Sequence, residues 1–249
     1  MCWRHLKTNL TRLAGQFALV TGAGGGIGRA LAQALAAEGA TVCLVGRRPG
    51  LLEETARVCG TGRVRVCPTD LTKEKQIDGL ALELERDFGR VDVLVHCAGV
   101  ISHGTIKEAA LESFDAQYSA NVRAPYLLTQ RLLPLLLKGP GQVVFINSSV
   151  VTSPRAGVSQ FSATQHALRA IADTLRQEVN GDGIRVLSVF PGRTATSRQE
   201  GMHTREGKQY RPELLLQPGE IATMVVAALT LPRTAEVTDI SIRPMLKSY

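Results

Sequence analysis

The 249-residue chain contains 44% hydrophobic and 20% charged residues, which suits one soluble domain with a full apolar core. Its formal charge of +7 does not indicate a nucleic-acid-binding protein, because the Lys and Arg residues are scattered among acids rather than gathered in a basic tract. The sequence has no apolar signal-peptide core and no run of about 18 apolar residues, so we expect a cytoplasmic protein without a membrane span.

Short β-branched runs alternate with longer helical patterns along the chain. The predicted strands are residues 17–22, 41–46, 64–70, 91–99, 142–149, 184–192 and 238–244. The predicted helices are residues 27–38, 50–58, 73–88, 120–137, 160–179 and 218–229. Strands that are apolar throughout are typical of a sheet buried on both faces. The fold class is therefore α/β, with a Rossmann-like doubly wound parallel sheet of about seven strands in a single domain.

The cysteines and the chain ends add little chemistry. The five cysteines are odd in number and lack a CxxC spacing, so we expect buried thiols, no metal site and no disulfide framework. Residues 1–13 are predicted to be an N-terminal extension, and residues 14–249 the domain. Within that extension, residues 3–13 form a short amphipathic arm that we expect to pack on the domain rather than touch a membrane or a partner.

Residues 193–217 form the one irregular insertion, which follows the sixth predicted strand and is rich in polar and basic residues. Ligands of such sheets bind at the carboxyl ends of the strands, so this segment is predicted to be a substrate lid. A solvated surface excursion is the alternative. The insertion's basic residues fit an anionic or carrier-linked substrate and a solvated lid equally well. They are Arg193, Arg198, Arg205, Lys208 and Arg211.

The stretch TGAGGGIG, residues 21–28, follows the first strand and opens the first helix. Gly22 permits a tight turn, Gly26 allows a pyrophosphate to approach the backbone, and Gly28 allows close packing of the helix. The helix N-terminus can then face the phosphates, which predicts a dinucleotide site.

The spacing TGxxxGIG resembles the classical short-chain dehydrogenase/reductase family over residues 14–245. Further matches are HCAG at 96–99 in place of NNAG, Asn121 in NVRAP, NSS at 147–149 and PGRTAT at 191–196 in place of PGxxxT. The resemblance implies a nicotinamide dinucleotide as cofactor and a small-molecule substrate. It also implies a homodimer or homotetramer formed through the long helices.

Charge favours NADP(H) over NAD(H), because Arg47 and Arg48 end the second strand where an acid would bind the ribose 2′-hydroxyl. By the resemblance, Asp70 and Leu71 contact the adenine, and Ala98 and Gly99 line the ribose. Two threonines after the sixth strand would contact the carboxamide and phosphate region. The complete predicted cofactor set is Gly22, Gly26, Ile27, Gly28, Arg47, Arg48, Asp70, Leu71, Ala98, Gly99, Gln165, Pro191, Gly192, Thr194 and Thr196.

The family's catalytic tyrosine and lysine are replaced in this chain. In the family a serine orients the carbonyl, a tyrosine transfers the proton, a lysine four residues later binds the ribose, and an asparagine holds a relay water. Here YxxxK becomes FSATQ, residues 161–165, with the expected asparagine at Asn121. Two serines are candidates for the carbonyl-orienting position. The family's usual separation from position 161 favours Ser148, whereas the local sequence favours Ser149. We expect only one of the two to reach the substrate, because successive strand residues face opposite sides.

Phe161 retains an aromatic ring without a hydroxyl, and Gln165 retains hydrogen-bonding reach without a charge. Because general acid catalysis supplies about 10² to 10⁴-fold, ordinary carbonyl reduction should be badly impaired. His166 is expected to point away from the site, since one helical residue turns about 100° around the axis. Five other side chains are conceivable donors without motif support and are expected to be structural. They are His96, His103, Tyr118, His203 and Tyr210.

Three functions stay open. The first is an NADPH-dependent reductase of an imine, an iminium ion or an activated alkene, which needs no tyrosine proton. The second is a template enzyme that performs a cyclisation, isomerisation or elimination on the same scaffold. The third is an inactive dinucleotide-binding subunit that pairs with an active homologue. The fold alone does not choose among them.

Overall fold

A parallel sheet organises the molecule, for which a computed structural model describes residues 11–60 and 62–246. Its strands are β1 (Phe17–Thr21), β2 (Thr41–Gly46), β3 (Val64–Pro68), β4 (Val93–His96), β5 (Gln142–Ile146), β6 (Arg185–Pro191) and β7 (Asp239–Ile242). All seven pair in parallel in the order β3-β2-β1-β4-β5-β6-β7. The strand order reverses between β1 and β4, which opens a crevice at the carboxyl ends of the strands. The predicted fold class is confirmed.

Helices cover both faces of this sheet. They are α1 (Gly26–Ala37), α2 (Pro49–Cys59), α3 (Glu74–Phe88), α4 (Leu111–Tyr118), α5 (Ala124–Leu136), α6 (Ser159–Val179), α7 (Ser197–Arg205) and α8 (Pro218–Leu229). Strand alternation divides the core in two. In β1, Ala18 and Val20 pack with α1 and α8, whereas Phe17 and Leu19 face the side covered by α3, α5 and α6.

The predicted start of the helix at 120–137 is wrong, because helical structure begins before residue 120. Helix α4 already begins at Leu111, and a π-helical turn over residues 119–123 joins it to α5. Gln117 is the one buried residue of α4, so this helix lacks the apolar stripe by which periodicity detects a helix. The π-helical turn buries Asn121 and Val122 and faces α6, and such turns are frequent at functional sites.

The insertion at 193–217 is not wholly irregular, because it contains α7 and a short 3₁₀ turn at Pro212–Leu214. Thr196 caps α7, since its hydroxyl accepts a hydrogen bond from the Gln199 amide at 3.2 Å. The segment therefore contains regular secondary structure where the sequence predicts only a loop.

Most of the predicted N-terminal extension, including Cys2, lies outside the described residues. Its last residues pack on the domain: Leu13 is buried, and Arg12 forms an ion pair with Glu38 at the end of α1. In the described ranges, Cys43 and Cys67 are buried thiols, and Cys59 and Cys97 are half-buried thiols. No helix within 11–60 and 62–246 is long and apolar enough to cross a bilayer.

Candidate functional site

A cavity of about 840 Å³ lies at the carboxyl edge of the sheet. The structure brings every predicted cofactor and catalytic residue to its wall, although they come from segments between residues 22 and 196. The catalytic candidates on this wall are Asn121, Ser148, Ser149, Phe161 and Gln165. The cofactor candidates are Gly22, Gly26, Ile27, Gly28, Arg47, Arg48, Asp70, Leu71, Ala98, Gly99, Gln165, Pro191, Gly192, Thr194 and Thr196.

The glycine loop fits its predicted role sterically. Gly22 has a φ of 67°, and a Cβ at this position would lie 2.9 Å from the Ala98 backbone. A Cβ on Gly28 would lie 2.3 Å from the Gly22 carbonyl oxygen. Side chains at these two positions would force β1, α1 and the loop after β4 apart. The close approach leaves the N-terminus of α1 open to the cavity, which is a favourable place for a phosphate group.

Two cations and one acid mark the end of the cavity at β2 and β3. Arg47 and Arg48 are exposed cavity-lining residues, and no described residue hydrogen-bonds to either guanidinium. Asp70 accepts hydrogen bonds from the backbone and hydroxyl of Thr72 at 3.0 and 2.8 Å. Burial opposes its ionisation, but these hydrogen bonds and the charge of Arg47 outweigh burial and lower the Asp70 pKa.

Residues of the insertion form another part of the cavity wall. Arg198 of α7 donates a hydrogen bond to the Gly99 carbonyl at 2.7 Å and thereby bridges to the loop after β4. Thr196 lies against the glycine loop, so that a Cβ on Gly26 would be 3.0 Å from its Cγ2. The wall also includes Cys97, whose pKa is raised to about 12 by burial, so its thiol stays protonated.

Asn121 is 2% exposed, and its side-chain amide is hydrogen-bonded to other groups of the protein. Its Oδ1 accepts from the Val100 amide at 2.8 Å, and its Nδ2 donates to the Val100 carbonyl at 2.8 Å and to the Thr164 hydroxyl at 3.1 Å. The side chain therefore fixes the loop after β4 against α6. A relay water held by this residue would have to use another part of it, such as the backbone.

We expect Asn121→Ala to lower the free energy of unfolding by about 1–3 kcal/mol, because the partly buried N–H and C=O of Val100 lose their partner. Urea denaturation measures this change. Thr164→Val removes only one of the amide's bonds and serves as the milder control. If Asn121→Ala lowers the free energy of unfolding by less than about 0.5 kcal/mol, the role of Asn121 in fixing the loop after β4 is contradicted.

The expectation that only one serine reaches the substrate rests on a wrong premise. Strand β5 ends at Ile146, so strand alternation does not apply to Ser148 and Ser149. Ser148 caps a 3₁₀ turn over residues 149–151 and accepts a hydrogen bond from the Val150 amide at 3.3 Å. Both serines line the cavity. Their assignment stays a prediction with two candidates.

Phe161 and Gln165 lie one helical turn apart near the start of α6, and both line the cavity. Gln165 is 4% exposed, and its backbone carbonyl accepts a hydrogen bond from Asn147 Nδ2 at 3.1 Å. Asn147, which follows β5, thus ties the end of the serine strand to this helix. The part of the cavity wall formed by α6 therefore includes a phenyl ring and a neutral amide.

Five of the six other conceivable proton donors do not line the cavity. His96 donates to or accepts from Thr129 at 2.8 Å and stacks on Phe145, and burial lowers its pKa to about 3, so it is neutral. His166 Nδ1 lies 2.8 Å from the Ser162 carbonyl on the exposed side of α6. His203 pairs with Gln199 and Tyr210. Of the six conceivable donors from the sequence, His103 lines the cavity.

Sequence reasoning missed several wall residues. Arg155, Met202 and Glu206 line the same cavity. Arg155 comes from the segment before α6, whereas the other two come from the insertion. No motif identifies these positions. The basic character of the insertion was the one available signal, and it did not show which of its charges face inward.

Comparisons with known proteins agree with this arrangement. The sequence profile described as short chain dehydrogenase matches residues 16–207. An uncharacterized oxidoreductase of Staphylococcus haemolyticus is 31% identical over 237 residues, which are 95% of this chain and 100% of the relative. A Staphylococcus aureus protein of the same description shows the same identity and coverage.

Solved structures with dinucleotides have the same fold. An alcohol dehydrogenase from the archaeon Thermococcus sibiricus, complexed with 5-hydroxy-NADP, has a TM-score of 0.83 at 26% identity and covers 94% of this chain and 98% of its own. A metagenomic short-chain oxidoreductase in complex with NADP has a TM-score of 0.82 at 28% identity and covers 95% of this chain and 100% of its own. A 3-ketoacyl-(acyl-carrier-protein) reductase from Brucella melitensis complexed with NADH has a TM-score of 0.82 at 26% identity and covers 92% of this chain and 97% of its own. The glycine loop, the strand order and these matches together show that the chain belongs to the short-chain dehydrogenase/reductase family.

Proposed function

We propose that this protein is an NADPH-dependent reductase whose substrates, imines, iminium ions or activated alkenes, need no proton from position 161. The observation that carries the proposal is the contrast within one cavity. The wall retains the whole predicted cofactor set, but it presents a phenyl ring and a neutral amide at the two positions where the family has tyrosine and lysine.

The cradle for the cofactor fits a dinucleotide. A Cβ on Gly22 or Gly28 would collide with neighbouring backbone, so these glycines allow β1 and α1 to pack closely, and the α1 N-terminus, which lines the cavity, can face a pyrophosphate. Arg47 and Arg48 fit the 2′-phosphate of NADP(H), because a guanidinium matches a phosphate dianion in shape and charge. Gln165 would hydrogen-bond the nicotinamide ribose in place of lysine.

The residues at the reacting end can position a substrate but not protonate it through Phe161. A bound reduced nicotinamide supplies a hydride. Ser148 or Ser149 can donate a hydrogen bond to an electronegative substrate atom, and Phe161 contributes an apolar wall. A neutral imine takes a proton from water to become an iminium ion, and hydride addition to an iminium ion gives the neutral amine without a further proton. The enolate formed by hydride addition to an enone takes its proton from water. Rate acceleration at this site then comes from orientation and electrostatics.

We expect the protein to oxidise NADPH with methylpyrroline and cyclohexenone at least about 10²-fold faster than with the matched ketones cyclopentanone and cyclohexanone, since only the ketones require the missing general acid. The loss of reduced-nicotinamide absorbance measures this, and product analysis confirms the saturated amine or ketone.

Three results would count against the reductase. Equal rates with the ketones would show that another group replaces the tyrosine. NADPH binding without turnover of any probe would favour an inactive dinucleotide-binding subunit. Conversion of a probe without net NADPH consumption would favour the template enzyme.

A further inference from the structure

Arg193 lies in the cavity wall, and its backbone is hydrogen-bonded to the end of the insertion. It directly follows Pro191 and Gly192 at the end of β6, and its carbonyl accepts a hydrogen bond from the Leu216 amide at 3.1 Å. Its side chain is 13% exposed. The Nε atom is buried, and no described residue accepts a hydrogen bond from it. A buried charged donor without an acceptor is costly, so a rotation of the Arg193 side chain that brings Nε to an acceptor in the cavity would remove that cost.

The acid beside Arg193 holds it loosely. Arg193 Nη2 lies 3.3 and 3.5 Å from the two carboxylate oxygens of Glu206, which is long for a charge-assisted hydrogen bond. Lys208 Nζ approaches the same carboxylate more closely, at 2.9 Å. Burial opposes ionisation of Glu206, but the Lys208 hydrogen bond and the charge of Arg193 outweigh it and lower the Glu206 pKa. Glu206 therefore keeps a strong partner even when Arg193 binds elsewhere.

The surrounding charge is positive. Among the described residues, the part of the cavity wall formed by the insertion carries three cations, Arg193, Arg198 and Lys208, and one acid, Glu206. Phe161 and Met202 add apolar surface to the same wall. A ligand with an apolar body and one negative group matches this combination, because a partly desolvated charge pair is stronger than the same pair in water.

We propose that the substrate of this site carries a carboxylate and that Arg193 binds it. The inference rests on the proposed function in taking this ligand to be the molecule that is reduced. A carboxylate fits here because a guanidinium can bind it through two parallel hydrogen bonds, and the contact with Glu206 shows that Arg193 accommodates this group.

Binding of an unreactive probe pair tests this without turnover. Benzoate and benzamide have nearly the same shape and differ in charge. In calorimetric titrations of the NADP⁺-saturated protein, we expect benzoate to bind at least about tenfold more tightly than benzamide, as a hydrogen bond to a charged group warrants. Arg193→Met should abolish this difference, and Arg193→Lys should retain part of it. Arg211→Gln is the matched control, because Arg211 is exposed, pairs with Glu213 and lies outside the cavity wall.

Glu206→Gln should strengthen benzoate binding severalfold, since it removes a like charge and a competitor for Arg193. Thermal unfolding and NADP⁺ binding of each variant establish that it is folded. Equal affinity for the two probes, no binding of either, or a preference that survives Arg193→Met overturns the proposal. Stronger competition by inorganic phosphate than by benzoate, with the same dependence on Arg193, also overturns it in favour of a phosphorylated ligand. If the wild-type protein turns over neither imines nor enones but still binds benzoate more tightly than benzamide, the proposed reductase function fails and the carboxylate site stands.

Discussion

Phe161→Tyr combined with Gln165→Lys is expected to raise NADPH-dependent reduction of simple ketones by about 10² to 10⁴-fold, which is the usual contribution of a positioned general acid. The two positions lie one turn apart on α6 and both line the cavity, so the new hydroxyl and ammonium groups would share one face of the helix. The ammonium group lowers the pKa of the tyrosine and binds the ribose, as the family resemblance implies.

Rates with cyclohexanone and cyclopentanone under saturating NADPH measure the gain, with the two single variants as controls. Phe161→Tyr alone should recover part of the rate. Gln165→Lys alone should recover none, because a lysine without the hydroxyl supplies no proton to the oxygen. Gln165 is 4% exposed, so the thermal stability of each lysine variant must be checked against the cost of burying a charge.

A double variant that binds NADPH and still fails with every ketone would show that the substrate end of the cavity has also diverged. Arg193 and Glu206 are the first residues to consider in that case, since they place a guanidinium and a carboxylate in the wall shared with Phe161. Testing the same ketones with an added carboxylate group would then separate a lost proton donor from a substrate that lacks its anchor.

Much of this site could be predicted from the sequence because parallel strands bring their carboxyl ends to one edge. Gly22, Arg47, Asp70, Ala98 and Pro191 each follow or end a different strand. Once the strands are identified, their convergence follows from the sheet order rather than from any contact between them. The glycine spacing adds a steric requirement that the sequence shows directly, because a Cβ at Gly28 would lie 2.3 Å from a backbone oxygen.

The parts that were missed depend on contacts between distant segments. Helix α4 buries a single residue and so leaves no periodic signal, and α7 is a polar helix inside an insertion. The role of Asn121 in fixing Val100 depends on a loop twenty-one residues away. Charge pattern alone likewise did not separate Arg193, in the wall, from Arg211, on the surface, although both belong to the same basic segment.

Arg47→Asp combined with Arg48→Gln is expected to weaken NADPH binding by about 10²-fold or more, because each charge-assisted hydrogen bond to a phosphate contributes about 1.5–3 kcal/mol. Both arginines lie on the cavity wall at the end of β2, and neither guanidinium is hydrogen-bonded to a described residue. NADH, which lacks the 2′-phosphate, should lose no affinity and should gain some, since the new acid can accept hydrogen bonds from the ribose hydroxyls.

Titrations of both dinucleotides, followed by nicotinamide fluorescence, give the four dissociation constants that this prediction needs. Arg57→Gln is the matched control, because Arg57 is an exposed cation on α2 that does not line the cavity. The wild-type preference should also shrink as salt rises, since the two arginines are exposed and their interaction with a phosphate is screened. Equal binding of NADH and NADPH by the wild type would contradict the assignment of this pair. A preference for NADPH that persists in the double variant would instead place recognition of the phosphate on other cations of the wall.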